Sequence, residues 1–208
     1  MRLNKPLNKV LNSETKIKVM RLFCLVGGES TGRQIAKLLN VGPSPVQLAL
    51  ADLYNEGILE RKSFGKAYAY SLNSGNWLVE GGLKPMFRVE AEYQAKLWDK
   101  IRQHLEKTDL GEQIISVSLF GSVLTGQDRP TSDIDLIVIF KGGVEKQLIE
   151  DLFIDMNRGI IEKTGLSLDA HVYSVSELRE KVSDGLKFIK DAIRSSKLII
   201  GKSLGECL

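Results

Sequence analysis

The stretch Ile114–Phe140 reads IISVSLFGSVLTGQDRPTSDIDLIVIF. Ile115–Phe120 alternates as a strand with one covered face, and Gly121-Ser122 follows it directly. A loop of Gly, Asp, Pro, Thr and Ser then leads to a second strand, Ile134–Phe140. Within Asp133-Ile134-Asp135-Leu136 the two carboxylates are two positions apart, so on a strand both point to the same side. Adjacent carboxylates repel one another and resist joint ionisation. A divalent cation removes that penalty, and hard Mg²⁺ prefers oxygen ligands. Paired carboxylates beside a glycine turn able to receive phosphate suit metal-assisted phosphoryl chemistry.

Further along, Val144–Lys163 reads as a helix carrying Leu148, Leu152, Ile154 and Ile161. In the third strand-like run, Leu166, Leu168, Ala170 and Val172 face one way, and Ser167, Asp169, His171 and Tyr173 the other. Asp169 thus falls on a polar face, while His171 reads as a structural or supporting neighbour. A helical segment over Ser176–Ser195 and a short strand over Leu198–Ile200 complete this part. Lys187, Lys190 and Arg194 read as a solvated basic face. On the other side, Pro85–Lys107 is helical, with Val89, Tyr93, Leu97, Ile101 and Leu105 at fourfold spacing. His104 on that helix receives no role.

The first 80 residues have another character. Ser13 precedes a helical pattern in Ile17, Met20, Phe23 and Cys24, which Gly27-Gly28 ends. Thr31 caps a second helix that Asn40 closes. Ser44 caps a third, with Pro45 at its first position, where a missing N–H costs nothing. Ile58–Phe64 and Ala67–Leu72 read as a hairpin turning at Gly65-Lys66. Gly32–Leu72 resembles the winged helix-turn-helix of bacterial and archaeal transcription regulators, most tellingly in LADLYNEGILERKSFGKAYAYSL. That resemblance implies a third helix in the DNA major groove and a wing against the backbone. Ser44 and Gln47 would face base edges, and Arg33, Arg61, Lys62 and Lys66 would meet phosphates.

FGSVLTGQDRPTSDIDLIVIF resembles the signature of the DNA polymerase beta superfamily of nucleotidyltransferases, closest to its small, minimal members. That signature is a hydrophobic residue, Gly-Ser, a spacer, and Asp-hydrophobic-Asp in a strand; here ten residues, Val123–Ser132, form the spacer. The resemblance implies that Asp133, Asp135 and Asp169 are the catalytic carboxylates and hold two Mg²⁺ ions, with Mn²⁺ an alternative. It also implies that Gly121 and Ser122 receive the triphosphate of an NTP, ATP being the expected donor. Minimal members commonly read Gly-Ser-x-Ala-Arg-Gly, whereas this chain has Gly121-Ser122-Val123-Leu124-Thr125-Gly126, so Arg129 is the candidate for the missing arginine.

The expected fold class is therefore α/β of the α+β kind: a winged helix over 1–80, then a mixed-sheet nucleotidyltransferase domain over 85–208. The resemblance implies transfer of a nucleoside monophosphate to a hydroxyl of a protein, small molecule or RNA end. Related antitoxins modify a partner protein, so a toxin–antitoxin type of partner is expected, and a homodimer is compatible. The alternative is a DNA-binding regulator or antitoxin whose second domain only senses nucleotide or binds a partner protein.

Composition agrees with two modules. The 208 residues carry 29 Lys+Arg against 26 Asp+Glu, a net of +3. Residues 1–80 hold 11 of the former and 6 of the latter, so the excess of positive charge lies wholly in the first module. No apolar run approaches the roughly 20 residues of a bilayer helix, and the first residues lack a secretory apolar core. Cys24 and Cys207 form no metal or redox motif. The expected location is the cytoplasm, with reduced thiols.

Overall fold

The computed structural model describes residues 3–65 and 67–208. It divides into two compact units, Met1–Tyr93 and Gln94–Leu208.

The first unit opens with α1 (Leu7–Val10) and α2 (Glu14–Leu25), followed by a two-residue strand β1 (Ser30–Thr31). Next come α3 (Gly32–Leu39), α4 (Pro43–Asn55) and the hairpin β2 (Leu59–Phe64) and β3 (Ala67–Leu72). Thr31 caps α3 reciprocally with Gln34, and Asn40 ends it in the left-handed conformation at φ 50°. Helix α4 starts earlier than Ser44 suggests: Gly42 is its N-cap, and Pro43 and Pro45 both lie in the first turn. First-turn N–H groups have no intrahelical acceptor, so neither proline breaks a bond. β1 and β2 flank β3, all antiparallel, with Ser30 opposite Tyr70 and Arg61 opposite Tyr70 on the other side.

Met20, Phe23, Ile35, Val46, Leu50, Leu53 and Ile58 form the buried core of this unit. Val79 and Leu83, from a π-helical turn at Val79–Leu83, pack into it, as does Phe87 at the start of α5 (Lys84–Leu105). The unit consequently runs to Tyr93, beyond the expected boundary between 80 and 85. Glycines and asparagines mark where a chain can turn, but buried Leu83 and Phe87 decide which core it belongs to. Phe87 is 1% exposed. Phe87→Ala should therefore destabilise the first unit by about 3–5 kcal/mol, read from urea unfolding of the full chain.

In the second unit, the latter part of α5 leads to β4 (Ile114–Leu119), α6 (Gly121–Thr125) and β5 (Ile134–Phe140). Then follow α7 (Lys146–Thr164), β6 (Leu168–Ser174), α8 (Val175–Ser183), α9 (Lys187–Ser195) and β7 (Lys197–Gly201). The sheet order is β6-β5-β4-β7. β5 and β6 are parallel, and the other pairs antiparallel. A parallel pair needs a crossover, which α7 provides.

β5 is apolar on both faces because both are covered. Ile134, Leu136, Val138 and Phe140 join Leu97, Ile101, Leu105, Phe153 and Met156 from α5 and α7. Ile137 and Ile139 join Leu178, Ile189 and Ala192 from α8 and α9. The single helix expected over Ser176–Ser195 is in fact these two helices. Gly185, at φ 76°, turns the chain between them, a conformation that favours glycine.

The architecture is mixed α+β. Among the described residues, no helix is long and apolar enough to cross a membrane.

Candidate active site

β5 is aligned on β6 from its first residue, where the Ile134 N–H donates to the Ser167 carbonyl at 2.8 Å. The register then sets Asp135 opposite Asp169 and Ile137 opposite His171. Partners in a parallel ladder project to one face, so the two carboxylates are neighbours. Asp133 lies one residue before β5 and is exposed; Asp135 is half-buried, and Asp169 is exposed.

Burial pushes the Asp135 carboxyl above the usual carboxylate range, and Asp169 and Asp133 push in the same direction. His171 and the Ser122 N–H, which donates to this carboxylate, act against them. His171 Nε2 stands 3.5 Å from Asp169 Oδ2. The pair Asp135–Asp169 therefore carries like-charge repulsion that an added cation would relieve.

Gly121 accounts for how close α6 comes to this pair. Its φ is 76°, and a Cβ built there would overlap Asp135 Oδ2 and stand 2.8 Å from Asp135 Cγ. The Phe120 N–H fixes the approach by donating to the Asp135 carbonyl at 3.0 Å. Gly121 and Ser122 thus meet Asp135 itself at the mouth of the site. Arg129 sits in a tight turn, where its N–H donates to Ser132 Oγ at 2.9 Å and its carbonyl accepts from the Ser132 N–H. Its side chain is exposed, and it is not among the groups acting on Asp135.

Three aromatic rings that are distant in the sequence come together beside the carboxylates. Phe120 and His171 have ring centroids 5.5 Å apart, Phe120 and Phe188 5.1 Å, and His171 and Phe188 5.3 Å. Each comes from a different element, so no local spacing signals the group.

Among the described residues, no three His, Cys, Asp or Glu side chains are gathered as a metal-holding group. The donor chemistry nevertheless fits a hard divalent cation. Asp135 and Asp169 are adjacent oxygen donors with mutual repulsion to relieve, and Asp133 lies near enough to add to it.

A family model described as nucleotidyltransferase domain matches residues 97–200, half of the chain. The chain belongs to the nucleotidyltransferase domain family. The match spans Gly121-Ser122 and all three aspartates.

No curated protein matches the chain. Among solved structures, fragment 1–100 of a possible transcriptional regulatory protein from Mycobacterium bovis is 17% identical, with a TM-score of 0.32. That match covers 43% of this chain and 88% of the other. A toxin–antitoxin with AMP-PNP is 17% identical, with a TM-score of 0.36, covering 52% of this chain and 77% of that one. A mutant of Lactococcus lactis ZitR in apo form is 18% identical, with a TM-score of 0.33, covering 54% and 88%.

In the first unit, Ser44 and Gln47 are exposed on α4, and Arg33 is exposed beside Gln47 in a groove shared with Tyr68 and Tyr70. The Gln47 side chain lies over Gly32, where a Cβ would stand 3.1 Å from Gln47 Cδ. Arg61 is held between two rings, 4.2 Å from the Tyr54 centroid and 4.4 Å from that of Tyr68. Lys62 pairs with Glu29 at 2.7 Å. Lys66, also expected to meet phosphates, lies outside the described residues.

Proposed function

We propose that the second unit transfers a nucleoside monophosphate from an NTP, with ATP the expected donor, to a hydroxyl on a protein, small molecule or RNA end. The observation that carries this reading is the register pairing of Asp135 with Asp169, beside Asp133, in a chain of this family. Asp133, Asp135 and Asp169 would hold Mg²⁺, with Mn²⁺ an alternative. When bound, the metal supplies neutralisation of charge on the triphosphate. Ser122, at the start of α6, offers its hydroxyl to a phosphate oxygen, and Arg129 is the nearby loop cation. Asp169, the exposed carboxylate of the pair, accepts the acceptor hydroxyl proton. The hydroxyl oxygen then bonds to the α-phosphorus, the bond to the β-phosphate oxygen breaks, and pyrophosphate leaves.

The test is incubation with Mg²⁺ and each α-labelled NTP, with the chain itself and cell lysate as acceptors. Label should appear on an acceptor with an equal release of pyrophosphate, and chelation should stop both. No label from any NTP, or undiminished label with Asp133→Asn plus Asp135→Asn, overturns the reading. The sequence Val123-Leu124-Thr125, where family members often carry arginine, favours a second reading. There, the chain would regulate DNA without transfer, and ATP would shift its DNA affinity.

The first unit is proposed to bind duplex DNA, with α4 in the major groove and Arg33, Arg61, Lys62 and Lys66 toward phosphates. The order α2, α3, α4 and a hairpin, with Ser44 and Gln47 on the exposed face of α4, supports this reading. The logarithm of affinity should fall with the logarithm of salt, by about 0.9 for each phosphate contacted. Because Lys62 already pairs with Glu29, Arg33→Ala should cost more DNA affinity than Lys62→Ala. Fluorescence anisotropy across a salt series checks both; salt-independent binding, or equal losses, would contradict the arrangement.

A further inference from the structure

We propose that Phe120, His171 and Phe188 form a stacking platform for the nucleobase of the donor nucleotide. The proposal rests on the nucleotidyl-transfer reading of the adjoining carboxylates. Its first support is position. Phe120 immediately precedes Gly121, and its N–H is bound to the Asp135 carbonyl. His171 is held against Asp169 at 3.5 Å. The rings therefore begin where the carboxylates end, and in a nucleotide only a ribose separates the α-phosphate from the base.

The second support is exposure. Phe120 is 9% exposed and joins the core under α8 and α9, so it anchors the group. Phe188 is 43% exposed, although its helix neighbours Ile189 and Ala192 are buried in that core. An aromatic ring whose inner edge is locked by two others presents a preformed apolar surface without further ordering cost. Phe120 and Phe188 meet edge to face at 78°, and His171 tilts against both at 58° and 54°. That interlock holds Phe188 in place.

The third support is the chemistry of the ligand. Stacking of a base on an aromatic side chain tolerates any base, because each has a π-face. The platform therefore recognises nucleotides as a class against plain polyphosphates and leaves choice among bases to other groups. Losing one such ring should weaken nucleotide binding by roughly ten- to a hundredfold.

The test measures, by calorimetry on the full chain with Mg²⁺, binding of a non-hydrolysable ATP analogue and of inorganic tripolyphosphate. The wild type should bind the analogue more tightly than tripolyphosphate. Phe188→Ala and Phe188→Leu should each lose that advantage while keeping tripolyphosphate affinity, and Phe188→Trp should keep it. Unchanged analogue binding by Phe188→Ala, or equal loss of both ligands, overturns the platform and leaves the carboxylate site standing. If the wild type binds neither ligand, the nucleotide reading falls and takes the platform with it.

Discussion

Asp135→Asn should abolish nucleotidyl transfer, by about a thousandfold or more, without lowering thermal stability. Loss of a single charge-stabilising group commonly costs 10²- to 10³-fold, and loss of a group that only supports a metal ligand costs about 10- to 100-fold. As a proposed metal ligand, Asp135 should cost at least the upper figure when it is replaced. Stability should move the other way. Burial, Asp169 and Asp133 all disfavour the Asp135 carboxylate, so a neutral amide of the same shape relieves strain that the wild type carries. The amide oxygen can still accept the Ser122 N–H. Adding Mg²⁺ should raise the melting temperature of the wild type, because binding to the folded state alone contributes about 2.7 kcal/mol at a hundred times Kd. The variant should show no such rise. Retained transfer, or a Mg²⁺ response equal to wild type, would remove Asp135 from the site.

The second large effect is expected at Gly121. A non-glycine residue at φ 76° costs about 1–2 kcal/mol, and an added methyl in filled space costs about 1–3 kcal/mol more. The filled space is the Asp135 carboxylate itself. Gly121→Ala must displace either that carboxylate or the start of α6, and a shift of about 1 Å in a reacting group can cost 10²-fold. Gly126→Ala is the control: Gly126 has φ 67°, but a Cβ there meets nothing within 4 Å. Both substitutions strain the backbone, and only the first collides with the site. Transfer should fall about a hundredfold or more in Gly121→Ala and stay near wild type in Gly126→Ala, with the larger loss of melting temperature in the former. Equal losses would show that backbone strain, not the approach to Asp135, explains the glycine.

Much of this was legible in the amino-acid sequence. β5 begins and ends where the sequence suggests, at Ile134 and Phe140, because a strand covered on both faces is apolar apart from Asp135 at its open end. Alternation alone put Asp169 on a polar face. Which residue of β6 would stand opposite Asp135 was not legible. Register depends on the crossover of α7 and on the Ile134–Ser167 hydrogen bond, neither of which leaves a local mark. The start of α4 is not fixed by the sequence because Ser44-Pro45 can form a cap and first turn, and Gly42-Pro43 forms another two residues earlier. The break at Gly185 leaves little mark in the sequence because the apolar spacing continues on both sides of it. The aromatic group is hidden for a different reason: Phe120, His171 and Phe188 lie on separate elements far apart in the sequence, and only tertiary packing gathers them.

The parallel pairing of β5 and β6 also bears on when the site can exist. Asp135 and Asp169 are 34 positions apart, with all of α7 between them. Hairpin strands such as β2 and β3 can zip from their turn. A parallel pair must close its whole intervening loop before the first ladder bond repays the entropy. A nascent or partly refolded chain can therefore hold β4 and β5 together while the two carboxylates are still far apart. Refolding should recover strand signal in a faster phase and Mg²⁺-dependent protection of the proposed site in a slower one, read by circular dichroism and by protease resistance with and without Mg²⁺.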